Sequence, residues 1–220
     1  MKKHALSTRL WHWLNLVCVV VLFMSGLNIS NAHRFLYWGE HGSDPAEALF
    51  AVIRFPGWAT IPGYYNLALA RDWHLLMAWP FAFGLAFMWI AMLMNRHFTR
   101  DLMTRPREWH PSAMWRDVMD HLKLKFEHEG AKFSFLQKLA YGVMLGVFLP
   151  LMVFTGLAIS PGFEPAAPWL VDLFGGRQSA RTIHFFTAWA IFGFFVIHIA
   201  LVLLSGPARQ IHDMIAGGEA

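Results

Sequence analysis

Four apolar segments constrain this chain of 220 residues more than any other feature. They run from about Leu10 to Ile29, Trp73 to Met94, Leu136 to Ile159 and Ile183 to Leu204. Each is about as long as the roughly 20 residues a helix needs to cross a bilayer core. Hydrocarbon offers the backbone no hydrogen-bond partner, so crossing segments of this kind must be helical. The expected fold is therefore all-α, an integral membrane four-helix bundle formed by residues 1–220 as a single domain. An apolar fraction of 56% with 11 Trp and 20 Phe suits a membrane interior edged by aromatic belts. The first segment has Lys2 and Lys3 before it and Ser30-Asn31-Ala32 after it, as a signal peptide would. It also carries His12 and two tryptophans where a leader has plain aliphatics, and is read as a retained helix.

The net charge of +4 is modest and is explained better by charge asymmetry between membrane loops than by a nucleic-acid partner. Thirteen of the eighteen Lys and Arg residues lie in the N-terminus, the 95–135 loop and start of the third segment, or the C-terminal tail. They include Lys2, Lys3, Arg9, Arg96, Arg100, Arg105, Arg107, Arg116, Lys123, Lys125, Lys132, Lys138 and Arg209. Arg34, Arg54, Arg71, Arg177 and Arg181 are on the other side. The positive-inside rule then places both termini in the cytoplasm. On that inner side, residues 111–126 carry Met114, Val118, Leu122 and Phe126 once per turn, which predicts an interfacial amphipathic helix. The outer loops, 28–72 and 160–180, are rich in aromatics and proline. They suit either a docking surface for an external partner or simple packing over the helix ends.

Four of the twelve histidines fall within the apolar segments: His12, His74, His184 and His198. His184 and His198, fourteen residues apart, are separated by about 21 Å of helix rise and only about 40° around its axis. One helix thus presents two imidazoles on nearly one face, toward opposite sides of the membrane. Alternating helix direction puts His74 level with His184 on the outside and His12 level with His198 on the inside. Imidazole suits iron and is a common axial haem ligand, so two bis-histidine b haems, His74/His184 and His12/His198, follow from topology. Arg-x-x-His recurs as Arg9…His12, Arg71…His74 and Arg181…His184. Each arginine sits one turn nearer water than its histidine, in reach of a haem propionate. The lone cysteine, Cys18, excludes an internal disulfide, and no Cys-x-x-Cys-His motif offers covalent haem attachment.

Other uses of membrane histidines fit less well. Proton relays gather near the midplane beside acidic residues, and no Asp or Glu lies within the four segments. A zinc site needs three or four ligands together, whereas these histidines separate into two levels. Gly142-x-x-x-Gly146 and Thr155-Gly156 allow something to approach the third helix closely, with another helix the default and a flat macrocycle the alternative. Gln137, Lys138 and Tyr141 could hydrogen-bond a quinone head group, with Lys138 equally an interfacial anchor.

At these residues the chain resembles the bacterial cytochrome b-561 family, the di-haem b subunits of respiratory hydrogenases and formate dehydrogenases. The resemblance rests on Arg9-Leu10-Trp11-His12-Trp13, on His74, on Leu136-Gln137-Lys138-Leu139-Ala140-Tyr141, and on the His184/His198 pair. It implies electron transfer between membrane quinone and a peripheral redox enzyme, with the same two haem pairings. The segments Phe154-Thr155-Gly156-Leu157 and 175–181 look like the thiosulfate-reductase-type branch, where a periplasmic molybdopterin oxidoreductase is the expected partner. Formate-dehydrogenase-type members carry an asparagine just before the third helix, where this chain has Phe133-Ser134-Phe135. The expected function is thus a membrane-anchoring di-haem cytochrome b subunit, with quinone exchanging electrons at the inner haem. A stand-alone quinone-linked oxidoreductase, of superoxide oxidase or ferric reductase type, is the alternative within redox chemistry. A histidine-relay transporter is the alternative outside it.

Overall fold

The computed structural model describes residues 5–96, 98–123 and 133–218. It is all-α apart from one small ribbon. In chain order the helices are α1 (Leu6–Ala32), α2 (Leu67–Met94), α3 (Pro111–Leu122), α4 (Phe135–Val143), α5 (Leu149–Ile159), α6 (Trp169–Leu173), α7 (Arg177–Leu204) and α8 (Pro207–Ala216). Two-residue strands β1 (Phe35–Leu36) and β2 (Phe50–Ala51) pair antiparallel between α1 and α2.

α1, α2, the continuous stretch Phe135–Ile159 and α7 are each long and apolar enough to cross a membrane. All four extend beyond or match the segments expected from hydropathy, and α7 starts six residues earlier than its apolar run. On α2, Leu76, Phe83, Phe87, Ile90 and Leu93 are all more than half exposed. A water-soluble fold does not leave such a face uncovered, whereas lipid solvates it. The protein is thus a multi-pass membrane protein.

Pro80 is accommodated inside α2 without ending it. In the third span, Met144–Phe148 form a wide π-helical turn just ahead of Pro150. Proline lacks an N–H and crowds the carbonyl one turn back, and a π turn relieves both. One carbonyl in that turn, Leu145, accepts a hydrogen bond from the Trp89 indole at 3.1 Å.

The described residues divide into two compact units. One is drawn from Met1–Trp11, Leu85–Leu149 and Gly193–Ala220. In it, Met88, Met92 and Leu102 form a core against Trp11, Phe133, Tyr141 and Leu145. The expected amphipathic helix is α3, whose Asp117 accepts the Leu136 amide at the open N-terminus of α4. Phe126 of that expectation, like Lys2, Lys3, Lys125 and Lys132, lies outside the described residues.

The other unit, from His12–Gly84 and Pro150–Phe192, contains the aromatic loop between α1 and α2. Two asparagines of α1 pin that loop. Asn28, fully buried, donates to the carbonyls of Pro62 (3.0 Å) and Tyr64 (2.8 Å) and accepts from the Asn66 amide. Asn31 exchanges two hydrogen bonds with the Phe55 backbone. The same loop caps α7, where the Gly39 carbonyl accepts the Gln178 and Ser179 amides and the Ser179 hydroxyl accepts the Gly39 amide. A Cβ at Gly176 would fall 2.5 Å from the Gly39 carbonyl, so this contact requires glycine there.

Candidate functional site

Within the second unit, α2 and α7 bring His74 and His184 together, with ring centroids 6.2 Å apart and planes at 59°. Each ring leans on a neighbouring helix through the same two-residue device. His74 Nδ1 lies 3.0 Å from the Ser25 hydroxyl of α1, and His184 Nδ1 lies 2.8 Å from the Thr155 hydroxyl of α5. Both hydroxyls already donate to the carbonyl one turn back, Val21 (2.7 Å) and Leu151 (2.6 Å). With that proton committed, each hydroxyl accepts, so each imidazole carries its proton on Nδ1 and leaves the Nε2 lone pair free. The next residue in each case is glycine. A Cβ at Gly26 would lie 3.6 Å from His74 Cε1, and one at Gly156 would lie 3.5 Å from His184 Cε1.

This pair can hold a metal between two imidazole nitrogens. Two trans nitrogens at about 2 Å from a metal set ring centroids about 6 Å apart, close to the observed separation. Among the described residues, no three His, Cys, Asp or Glu side chains gather around one point as a protein-only metal site requires. A pair of imidazoles would suit a metal whose other positions are filled by a planar macrocycle.

One turn from these histidines, Arg71 and Arg181 sit with His33. The Arg71 guanidinium lies 3.3 Å from His33 Nε2 and donates to it. Burial lowers the His33 pKa below the ordinary histidine value, and Arg181 and Arg71 lower it further. His33 is therefore neutral at pH 7 and can accept from Arg71. Arg181 donates to the Gln178 side chain at 3.0 Å. Two guanidinium groups on one face give an anion a place to sit.

The remaining expected residues are placed as follows. Arg9 donates to the Ile215 carbonyl of α8. His12 contacts Trp13 edge to face at 5.4 Å, and His198 stacks on Phe194 at 5.9 Å. His12 and His198 fall in different compact units. Gln137 and Lys138 are engaged locally. Gln137 forms a reciprocal capping box with Ser134, the residue in the Phe133-Ser134-Phe135 stretch that departs from the asparagine pattern. Lys138 pairs with Glu108 at 2.6 Å. Burial would raise the Glu108 pKa, but the Lys138 and Arg105 hydrogen bonds outweigh it and hold the carboxyl below its ordinary value. At Gly142 and Gly146, nothing described lies within 4 Å of a built Cβ.

A family model described as prokaryotic cytochrome b561 matches residues 3–217. The chain belongs to the prokaryotic cytochrome b561 family. This cytochrome is 29% identical over 211 residues to a protein of Azospira oryzae named as protein-methionine-sulfoxide reductase subunit YedZ1, covering 95% of this chain and 93% of the relative. It is 25% identical over 227 residues to a protein of Cupriavidus necator named as Ni/Fe-hydrogenase B-type cytochrome subunit, covering 95% and 82%. No solved structure matches it. Membership makes the chain a membrane b-type cytochrome of electron transport, and brings haem b as the macrocycle that the His74–His184 geometry suits.

Ser25, Gly26 and His33 were not singled out from sequence. A signal existed for the first two: Met24-Ser25-Gly26-Leu27 in α1 matches Phe154-Thr155-Gly156-Leu157 in α5, each a hydroxyl followed by glycine inside an apolar helix.

Proposed function

We propose that this cytochrome is a single di-haem domain that carries electrons between membrane quinone and a redox enzyme outside the cytoplasm. His74 and His184 ligate one haem b and His12 and His198 the other. Haem b bound at these positions supplies one-electron redox chemistry at its iron. The chain's own residues bind and orient it. Ser25 and Thr155 hold the His74 and His184 rings with Nε2 free, and Arg71, Arg181 and His33 receive the propionates. Arg9 does the same beside His12. Both termini are cytoplasmic in the bacterial inner membrane, so the His74/His184 haem is the outer one, beneath the aromatic loop.

The observation that carries this reading is the His74–His184 pair, 6.2 Å apart, with each Nδ1 on a hydroxyl. Support for a partner enzyme comes from the relatives, one named as a reductase subunit and one as a hydrogenase cytochrome subunit. A molybdopterin oxidoreductase is the favoured partner class. Quinone reacts at the inner haem.

The test is purification of the tagged chain from its native membrane in mild detergent, followed by identification of what comes with it and quinol-driven haem reduction. A co-purifying soluble redox subunit, with quinol reducing the haems, is expected. Quinol-reducible haem in a chain that brings no partner under several mild detergents would contradict the subunit reading in favour of a stand-alone oxidoreductase.

A further inference from the structure

The hydroxyl–glycine dipeptides do more than fill space. Ser25 and Thr155 belong to different helices, α1 and α5, yet each meets the Nδ1 edge of a histidine from another helix, at 3.0 and 2.8 Å. The following glycine in each case leaves room beside the ring, since a Cβ there would stand 3.6 and 3.5 Å from its Cε1 edge. An imidazole that flipped would give up its Nδ1 hydrogen bond, so the hydroxyl favours one ring orientation. Both hydroxyls are forced to accept, because their protons are spent on Val21 and Leu151.

We infer that Ser25 and Thr155 are paired positioning residues that fix the ring planes of His74 and His184 and set the potential of the haem between them. An acceptor on Nδ1–H makes the imidazole a stronger donor to iron, which favours the ferric state and lowers the midpoint potential. Two such acceptors, one on each axial ligand, act in the same direction. This rests on the reading of His74 and His184 as ligands of one haem.

The experiment compares the purified full chain with a Ser25→Ala/Thr155→Val double variant and a Ser25→Thr/Thr155→Ser swap. The readouts are the haem-to-protein ratio, the midpoint potentials and the low-spin ferric EPR signals, whose anisotropy reports the angle between ligand planes. His74→Ala and His184→Ala variants identify which signal belongs to this haem. The double variant is expected to keep its haem ratio while that one haem becomes easier to reduce. The ferrous-to-ferric ratio at fixed potential should rise by up to about tenfold, equivalent to about 59 mV for one electron. Its EPR signal should move, and the swap should behave like the parent. Should the double variant lose the haem, Thr155→Val alone, which keeps the side chain's shape, carries the same test with about half the shift. Potentials and EPR signals that superimpose on the parent at equal haem content would overturn the inference. So would a shift confined to the other haem. If His74→Ala and His184→Ala leave every haem signal intact, the underlying assignment fails instead.

Discussion

The two compact units hold their helices in different ways, and the difference locates the better-defined site. In the His74–His184 unit, polar side chains of α1, α5 and α7, all but Asn31 buried, reach across to other elements. Asn28 and Asn31 tie down the loop, Ser179 fixes Gly39, and Ser25 and Thr155 hold the two rings. In the other unit the third span carries a π turn, and Gly142, Gly146 and Gly193 have open space where a Cβ would stand. Several of its polar contacts serve helix ends: the Ser134–Gln137 box, Asp117 on the Leu136 amide, Lys138 with Glu108. One unit has its two histidine rings, His74 and His184, held by hydroxyls of neighbouring helices.

The largest expected effect follows from removing a ligand. His184→Ala should halve the haem content and abolish one component of the redox titration. His198→Ala should abolish the other component. Loss of both haems from either variant, with the fold retained, would erase the distinction between the units.

Asn28→Ala should come next. It leaves the Tyr64 carbonyl and the Asn66 amide without the Asn28 side chain, while the Pro62 carbonyl keeps the Thr60 hydroxyl. Each such group costs about 1–3 kcal/mol. A clear fall in thermal stability in detergent is expected, with loosened protease resistance in the 33–66 loop. An unchanged melting temperature would show that the loop is not held from α1.

Arg71→Ala should lower the potential of the His74/His184 haem, because a nearby positive charge favours the ferrous state. A shift of up to about 59 mV, tenfold in the redox ratio, is expected in a titration. The other haem should not respond.

The smallest effect tests the helix-end interactions. Glu108 has a lowered pKa through Lys138, so its contribution is present above the ordinary carboxylate value and is lost as pH falls through the lowered one. Glu108→Gln should therefore reduce melting temperature slightly at pH 7 and not at all at acid pH. Equal destabilisation at both would assign the contact to shape rather than charge.

The spans were legible because hydropathy is a local property, and each helix declares itself without reference to its neighbours. The levels of the histidines followed from alternation of helix direction, which is why His74 and His184 could be expected to meet. Ser25 could not be read the same way. A serine in an apolar helix looks like ordinary interhelical glue, and its partner lies 49 residues away. Asn28 is similar, since its acceptors are backbone carbonyls of a loop with no sequence signature. His33 sits just beyond α1 and acquires meaning only when Arg71 and Arg181 are placed around it.

The most direct test of the central claim is the haem-to-protein ratio of the purified chain, by pyridine haemochrome alongside a reduced-minus-oxidised spectrum. Two b haems per chain is the predicted result. A colourless protein after mild extraction from haem-replete cells would contradict it.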